Sequence, residues 1–343
     1  MKIKSLLLGL GAAVLISSMP TLAQAKSRLL VNCFWPPKHH VCRVVLPEWL
    51  AAIEEATEGR VTGRLTPKSV APPPEQLASV EKGLADVAVQ FNGLIQNRIK
   101  GPIVAMQPFV GTDNASVMSQ ALWETNQKFF PDEFETVELL SQFVISPGQL
   151  YSQTDTPIVT LEDFSSRKMW SLPGPLAGMS KALGAGVVSS PAVKSNEIIS
   201  RGIVDGFFGL DAQAVRAFQL MPYTKSNTKF SVPVYTTSFS IFMNKDKWAE
   251  ISAEDQAAIL KLSGAALGMK FGSSWDQQNA DAEAGYAEAG ITVVEADPAF
   301  QKALVDAAMP ITKKWLTDAT AAGIDAQAAL DFYKKRISEL SSK

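Results

Sequence analysis

The chain has 343 residues, of which 46% are hydrophobic and 19% charged, with a formal net charge of −2. That length exceeds what one hydrophobic core ordinarily fills, so two domains are expected. The slight acidity supplies no clustered basic face for nucleic acid, and no segment beyond the first twenty-five residues reaches the roughly 20 apolar residues of a membrane span.

Lys2 and Lys4, the apolar run at 6–16 and Ala23-Gln24-Ala25 follow the order of a secretory signal, so cleavage near Ala25 and a periplasmic location are expected. Cys33 and Cys42 are the two cysteines of the chain. An oxidising compartment permits a disulfide between them, and two separately buried thiols are the alternative.

Leu29-Leu30-Val31 reads as a first buried strand. It leads into a loop, residues 32–40, that carries Trp35, His39 and His40. Leu46, Trp49, Leu50 and Ile53 recur at helical spacing, with Pro47 in the first turn and Gly59 as the stop. Residues 60–66 alternate as a strand, 70–74 form a rigid proline-rich connection, 75–82 a helix, and 85–91 a strand buried on both faces. Strands separated by helices make an α/β architecture with parallel sheet. In such sheets ligands sit beyond the carboxyl ends of the strands, which singles out Trp35, His39, Gln90, Phe91 and Asn92.

Residues 115–130 are expected to be helical, and 139–144 a strand that crosses into a second domain beginning near Gln149. The stretch 161–210 then reads as a complete strand, helix, strand, helix, strand unit, turned by Pro173-Gly174 and stopped at Gly184. Residues 232–243 form a β-like run suited to a return crossing. Ser252, with Asp255 three residues on, is a helix cap. From there to about residue 288 nothing strongly breaks a helix, which predicts a spine of roughly 50 Å. Gly264, Gly268 and Gly272 place a bare stripe on it, read either as close packing or as an interruption. A strand at 291–295 and helices near 298–316 and 325–340 close the chain.

Several passages resemble one family. Residues 55–61 (Glu-Ala-Thr-Glu-Gly-Arg-Val), 80–88 (Val-Glu-Lys-Gly-Leu-Ala-Asp-Val-Ala), Met106-Gln107-Pro108-Phe109, Lys168-Met169, 182–187 (Ala-Leu-Gly-Ala-Gly-Val), 202–206 (Gly-Ile-Val-Asp-Gly) and 243–248 (Met-Asn-Lys-Asp-Lys-Trp) are similar to the DctP-type extracytoplasmic solute receptors of TRAP transporters. The resemblance implies a two-domain periplasmic binding protein, type II-like, with a ligand cleft between lobes, crossing strands and a long spine helix. Domain I would comprise 26–148 and 236–285, and domain II 149–235 and 286–343 with the C-terminal helices. It also implies capture of a small organic solute and delivery to the membrane permease subunits. A periplasmic sensor or interaction protein using the same clamp is the alternative.

In that family the residue after Lys-Met is usually an arginine that pairs with the solute's carboxylate; here it is Trp170. The polar pair usual after Val-Asp-Gly is replaced by Phe207-Phe208. An indole cannot take over a charged hydrogen bond worth about 1.5 to 3 kcal/mol. Two expectations follow: a solute with more apolar or aromatic surface than the usual organic acid, or a carboxylate held instead by Arg98 or His39. An arginine put back at 170 is expected to raise affinity for simple carboxylates. Tyr151, Trp170, Phe207, Phe208 and Tyr235 complete the candidate ligand-binding set. Convergent nucleophile and base, metal-ligand spacing and a phosphate-cradling glycine motif are absent, so neither an enzyme, a metal nor a cofactor is expected.

Overall fold

A computed structural model describes residues 26–342. The expected signal segment, residues 1–25, lies outside them. The described chain forms two sheets, each with helices on its faces. The first contains β1 (Ser27–Asn32), β2 (Val61–Leu65), β3 (Val87–Phe91), β4 (Val137–Val144) and a later strand, Ser238–Asn244. The second contains β5 (Gln149–Ser152), β6 (Lys168–Ser171), β7 (Gly186–Ser189), β8 (Gly206–Leu210), β9 (Ser226–Lys229) and another late strand. The two late strands are β10 (Ser238–Asn244) and β11 (Thr292–Glu295).

Their order is β2-β1-β3-β10-β4 in the first lobe and β11-β9-β5-β8-β6-β7 in the second. β3 and β8 are interior strands, buried at every residue, which is why both read as continuous apolar runs. The chain passes to the second lobe after β4 and returns before β10. The two passages run side by side. The Ile145 N–H donates to Thr237 O at 3.1 Å and the Gly148 N–H to Tyr235 O at 2.9 Å. Among the described residues no other strand pairing joins the two sheets, and a pair of connecting segments of this kind is the type of element that can serve as a hinge.

The expected spine is shorter than its sequence suggests. A helix at Ala253–Lys261, capped by Ser252 as anticipated, ends before Ser263, and a second runs Gly264–Glu283. Gly264 sits at φ +55°, a conformation that ends the first helix and that other residues rarely adopt. The next two glycines do what the packing reading requires. A Cβ on Gly268 would run into the backbone of Gln142, and one on Gly272 would lie 2.5 Å from the Ala115 carbonyl carbon.

The twenty-residue spine spans about 30 Å, enough to reach both lobes. Its Asp276 carboxylate accepts from the Ala115 and Ser116 N–H groups of the first lobe. Three residues on, Asn279 Oδ1 accepts from the Ala212 N–H of the second. The C-terminal helix, Ala326–Ser341, was expected with the second lobe. It packs instead on helix Ala115–Phe129 of the first, through the Arg336–Glu124 ion pair and the Phe129–Phe332 ring contact.

Candidate ligand-binding cleft

Between the lobes lies a narrow cavity of about 50 Å³, walled by both. The first lobe supplies Phe34, Trp35 and His39 from the loop after β1, Phe91 at the end of β3, Ile145 and Thr237 from the crossings, Phe239 of β10 and Trp275 of the spine. The second supplies Leu172 after β6, Pro191, Ala192 and Val193 after β7, Asp211 and Gln213 after β8, and Phe218.

The loop 32–40 is held by covalent and aromatic restraints. Cys33 and Cys42 are joined in a disulfide with Cα atoms 5.8 Å apart, which settles the alternative left open by the sequence. The disulfide ties the end of β1 to the turn leading into helix Leu46–Ala56. Within the closed loop Trp35 stacks on His39 at 5.3 Å between ring centres and lies 5.3 Å from Phe239. Trp275 meets the edge of His40 at 4.6 Å. Such ring contacts fix a rigid wall beyond what area burial alone provides.

His39 reaches across the cleft. Its Nδ1 accepts from the Val41 N–H at 3.3 Å, which leaves the proton on Nε2, 3.1 Å from the Gln213 amide. Assigned from this tautomer, the amide is turned with its oxygen to the ring, where it accepts from Nε2–H. Burial holds His39 well below the ordinary imidazole range, and His40 beside it adds to the shift. The bridge is therefore made by a neutral ring.

Asp211 is the one carboxylate in the wall among the described residues. Its Oδ1 accepts from the Ala214 N–H at 2.7 Å, while Oδ2 makes no hydrogen bond within the described residues. Burial pushes its carboxyl up to about 7; the Ala214 N–H and the Trp275 indole pull the other way, and Glu283 and Asp276 add to the rise. No lysine or arginine lines the cavity among the described residues. The arrangement is a largely apolar, ring-walled slot with a few polar groups, suited to contacting a flat small molecule.

Of the residues singled out by sequence, Trp35, His39 and Phe91 line this cavity, and seven do not. Gln90 accepts from the Leu77 N–H and donates to the Pro73 and Phe91 carbonyls, fixing its own loop. Asn92 donates to Ser238 Oγ and accepts from Ser240 Oγ. Tyr151 stacks on Phe207 and bonds Tyr286 Oη at 2.9 Å, Phe208 packs on Phe164, and Tyr235 sits in the return crossing. Trp170 is fully buried and donates from Nε1 to Ser190 Oγ at 2.9 Å, so it braces the 190–193 segment from behind.

The cavity is met one to a few residues beyond the strand positions that the family resemblance singles out. Trp170, Phe207 and Phe208 are within β6 and β8, pointing into the lobe, whereas the cavity is met by Leu172 and by Asp211 and Gln213 just beyond those strands. Asp211 and Gln213 were legible by the sheet-end rule; Trp275, in the middle of a helix, carried no such signal. Arg98 is no carboxylate clamp: it forms a two-pronged pair with Glu81 at 2.6 and 3.0 Å on the surface.

Residues 31–318 match the family model described as "DctP: Bacterial extracellular solute-binding protein, family 7". The chain is 37% identical to an "Outer membrane transporter protein TsaT" of Comamonas testosteroni over 94% of its own length and 95% of that protein. Among solved structures it is similar to a TRAP periplasmic solute binding protein from Bordetella bronchiseptica with bound (R)- and (S)-mandelate. That likeness has a TM-score of 0.86 and 32% identity, and covers 91% of this chain and 99% of the other. A TRAP solute binding protein from Rhodoferax ferrireducens, in complex with copurified benzoate, shares the fold with a TM-score of 0.84 and 22% identity over 92% and 99% of the two chains. With its two sheets, crossing strands and inter-lobe cleft, the chain belongs to the DctP family, the solute receptors of TRAP transporters.

Proposed function

We propose that this receptor captures a small aromatic acid in the periplasm, closes on it by hinge bending, and hands it to a TRAP-type membrane permease. The observation that carries the ligand class is the wall itself: Phe34, Trp35, Phe91, Phe218, Phe239 and Trp275 surround a slot with few polar groups. Aromatic rings favour a flat apolar body, and the remaining polar groups can receive one acid function. Mandelate in the 32%-identical relative supports the same class.

The family is one of extracellular solute-binding proteins and the 37%-identical relative bears a transporter's name, which favours capture for transport over the sensing alternative. The secretory order of residues 1–25 supports export with cleavage near Ala25. Thermal-shift and calorimetric titration of the mature protein against benzoate, mandelate, succinate and sugar acids tests the reading. Aromatic monocarboxylates should raise Tm at micromolar concentration. A response confined to succinate or to a sugar acid would reject it.

A further inference from the structure

We propose that Asp211 recognises the solute as a neutral carboxylic acid, donating its proton from Oδ2 to an anionic oxygen of the ligand, so that each acid bound is accompanied by one proton. The inference rests on the acid-ligand reading above and names the group that replaces a cation in it. Three observations carry it. Asp211 lines the cavity, is 1% exposed, and uses one oxygen as a helix cap, while among the described residues the other has the Trp275 indole nearby but makes no hydrogen bond of normal geometry. No lysine or arginine shares the wall, so a carboxylate entering there meets no opposite charge. The other polar side chains of the wall, the Trp275 indole, the Gln213 amide, the Thr237 hydroxyl and the His39 ring, carry no charge.

An anion in this slot next to ionised Asp211 would place two like charges in a dry site, which two carboxylates avoid by sharing a proton. Burial, the first cause of its raised pKa of about 7, already favours the acid form before any ligand enters. The ionisable groups around it leave the pH range 5.5–8.5 to Asp211. His39 and His40, on the loop opposite, are held neutral, His40 at about 4. Tyr151 and Tyr286 are shifted up by burial. On the spine, Glu283 is shifted down by its partners, chiefly Lys229, against its own burial. Asp276 is shifted up by burial, but its oxygens are taken by the Ala115 and Ser116 N–H groups and Ser146. Arg216, on Asp211's own helix, donates to Gln278 at the surface.

Calorimetric titration of the mature protein with benzoate and mandelate from pH 5.5 to 8.5, in buffers of differing ionisation heat, tests this. Dissociation constants should be level at the acid end, where Asp211 already carries its proton and none is taken up, and weaken about tenfold per pH unit above about 7, where one proton is taken up per ligand. Asp211→Asn keeps the cap and a donor, so it should bind within a few-fold of wild type at pH 6 and lose the pH slope. Asp276→Asn should retain the slope. A wild-type affinity that does not change with pH, or a slope that survives in Asp211→Asn, overturns the proposal while leaving the aromatic-acid reading intact. Tighter binding of benzylamine than of benzoate overturns it too, since Asp211 would then act as an anion. Failure of every aromatic acid at every pH, with a response to another solute class, overturns both.

Discussion

His40 sits behind the cleft with Nδ1 2.8 Å from Ser274 Oγ, and burial, helped by the nearby Arg216 charge, lowers its pKa to about 4. A histidine depressed in this way stabilises the fold above its ordinary value near 6.5, and that contribution is lost as pH falls from there toward 4. His40→Gln cannot titrate, so its melting temperature should fall less than that of wild type between pH 7 and 4.5. The difference should correspond to on the order of 2 to 3 kcal/mol; parallel acid profiles would exclude His40 as the source. At position 170 the structure reverses the expected outcome of an arginine. Trp170 is fully enclosed and bonded to Ser190, so Trp170→Arg buries a charge with no partner while removing a packed ring. It should cost at least about 3 kcal/mol in denaturant unfolding and give no gain in affinity for acetate or succinate.

Among elements, the disulfide-closed loop 33–42 carries more of the site than any strand. It positions Trp35 and His39, whose rings stack on each other and whose contacts reach Phe239, Trp275 and, across the cleft, Gln213. Closing a loop this short restricts the unfolded chain by about 2 to 3 kcal/mol. A Cys33→Ser, Cys42→Ser double variant should therefore lose roughly that stability and bind benzoate at least several-fold more weakly, because the loop must be ordered when ligand enters. Equal affinity in the two proteins, measured by calorimetry at a temperature where both are folded, would show that ring packing alone fixes the loop. The spine helix is the complementary element. Its glycines at 268 and 272 allow backbone contact with β4 and with helix Ala115–Phe129, and its Asp276 and Asn279 tie one lobe each.

For the molecule as a whole, the cleft is built from both lobes, and the His39–Gln213 bridge joins them directly. A solute that touches both walls stabilises the closed arrangement by its differential contacts. Small-angle scattering should show a smaller radius of gyration on addition of a bound aromatic acid, and a hundredfold excess over Kd should add about 2.7 kcal/mol to stability. Gln213→Ala removes the bridge and should widen the ligand-free distribution while leaving the saturated one near that of wild type. An unchanged ligand-free profile would mean that the bridge contributes nothing to closure.

Much of this protein follows from local pattern. Apolar runs at 29–31 and 85–91, stops at Gly59, Gly83 and Gly184, and the cap at Ser252 are short-range signals, and strands and helices formed where they lie. The alternation of strand and helix likewise determined the α/β class, and the sheet-end rule pointed to Trp35, His39 and Phe91. What only the tertiary structure decided depends on residues distant in sequence. Whether Trp170 faces ligand or core is set by β7 beside it and Ser190 below it. Trp275 joins the cleft because glycine packing seats the middle of a helix against both lobes. Asp211 became the singular polar group because burial removes its water, one oxygen is used as a cap, and no cation is brought near; charge environment is a property of the assembled cleft, which no local window of sequence contains.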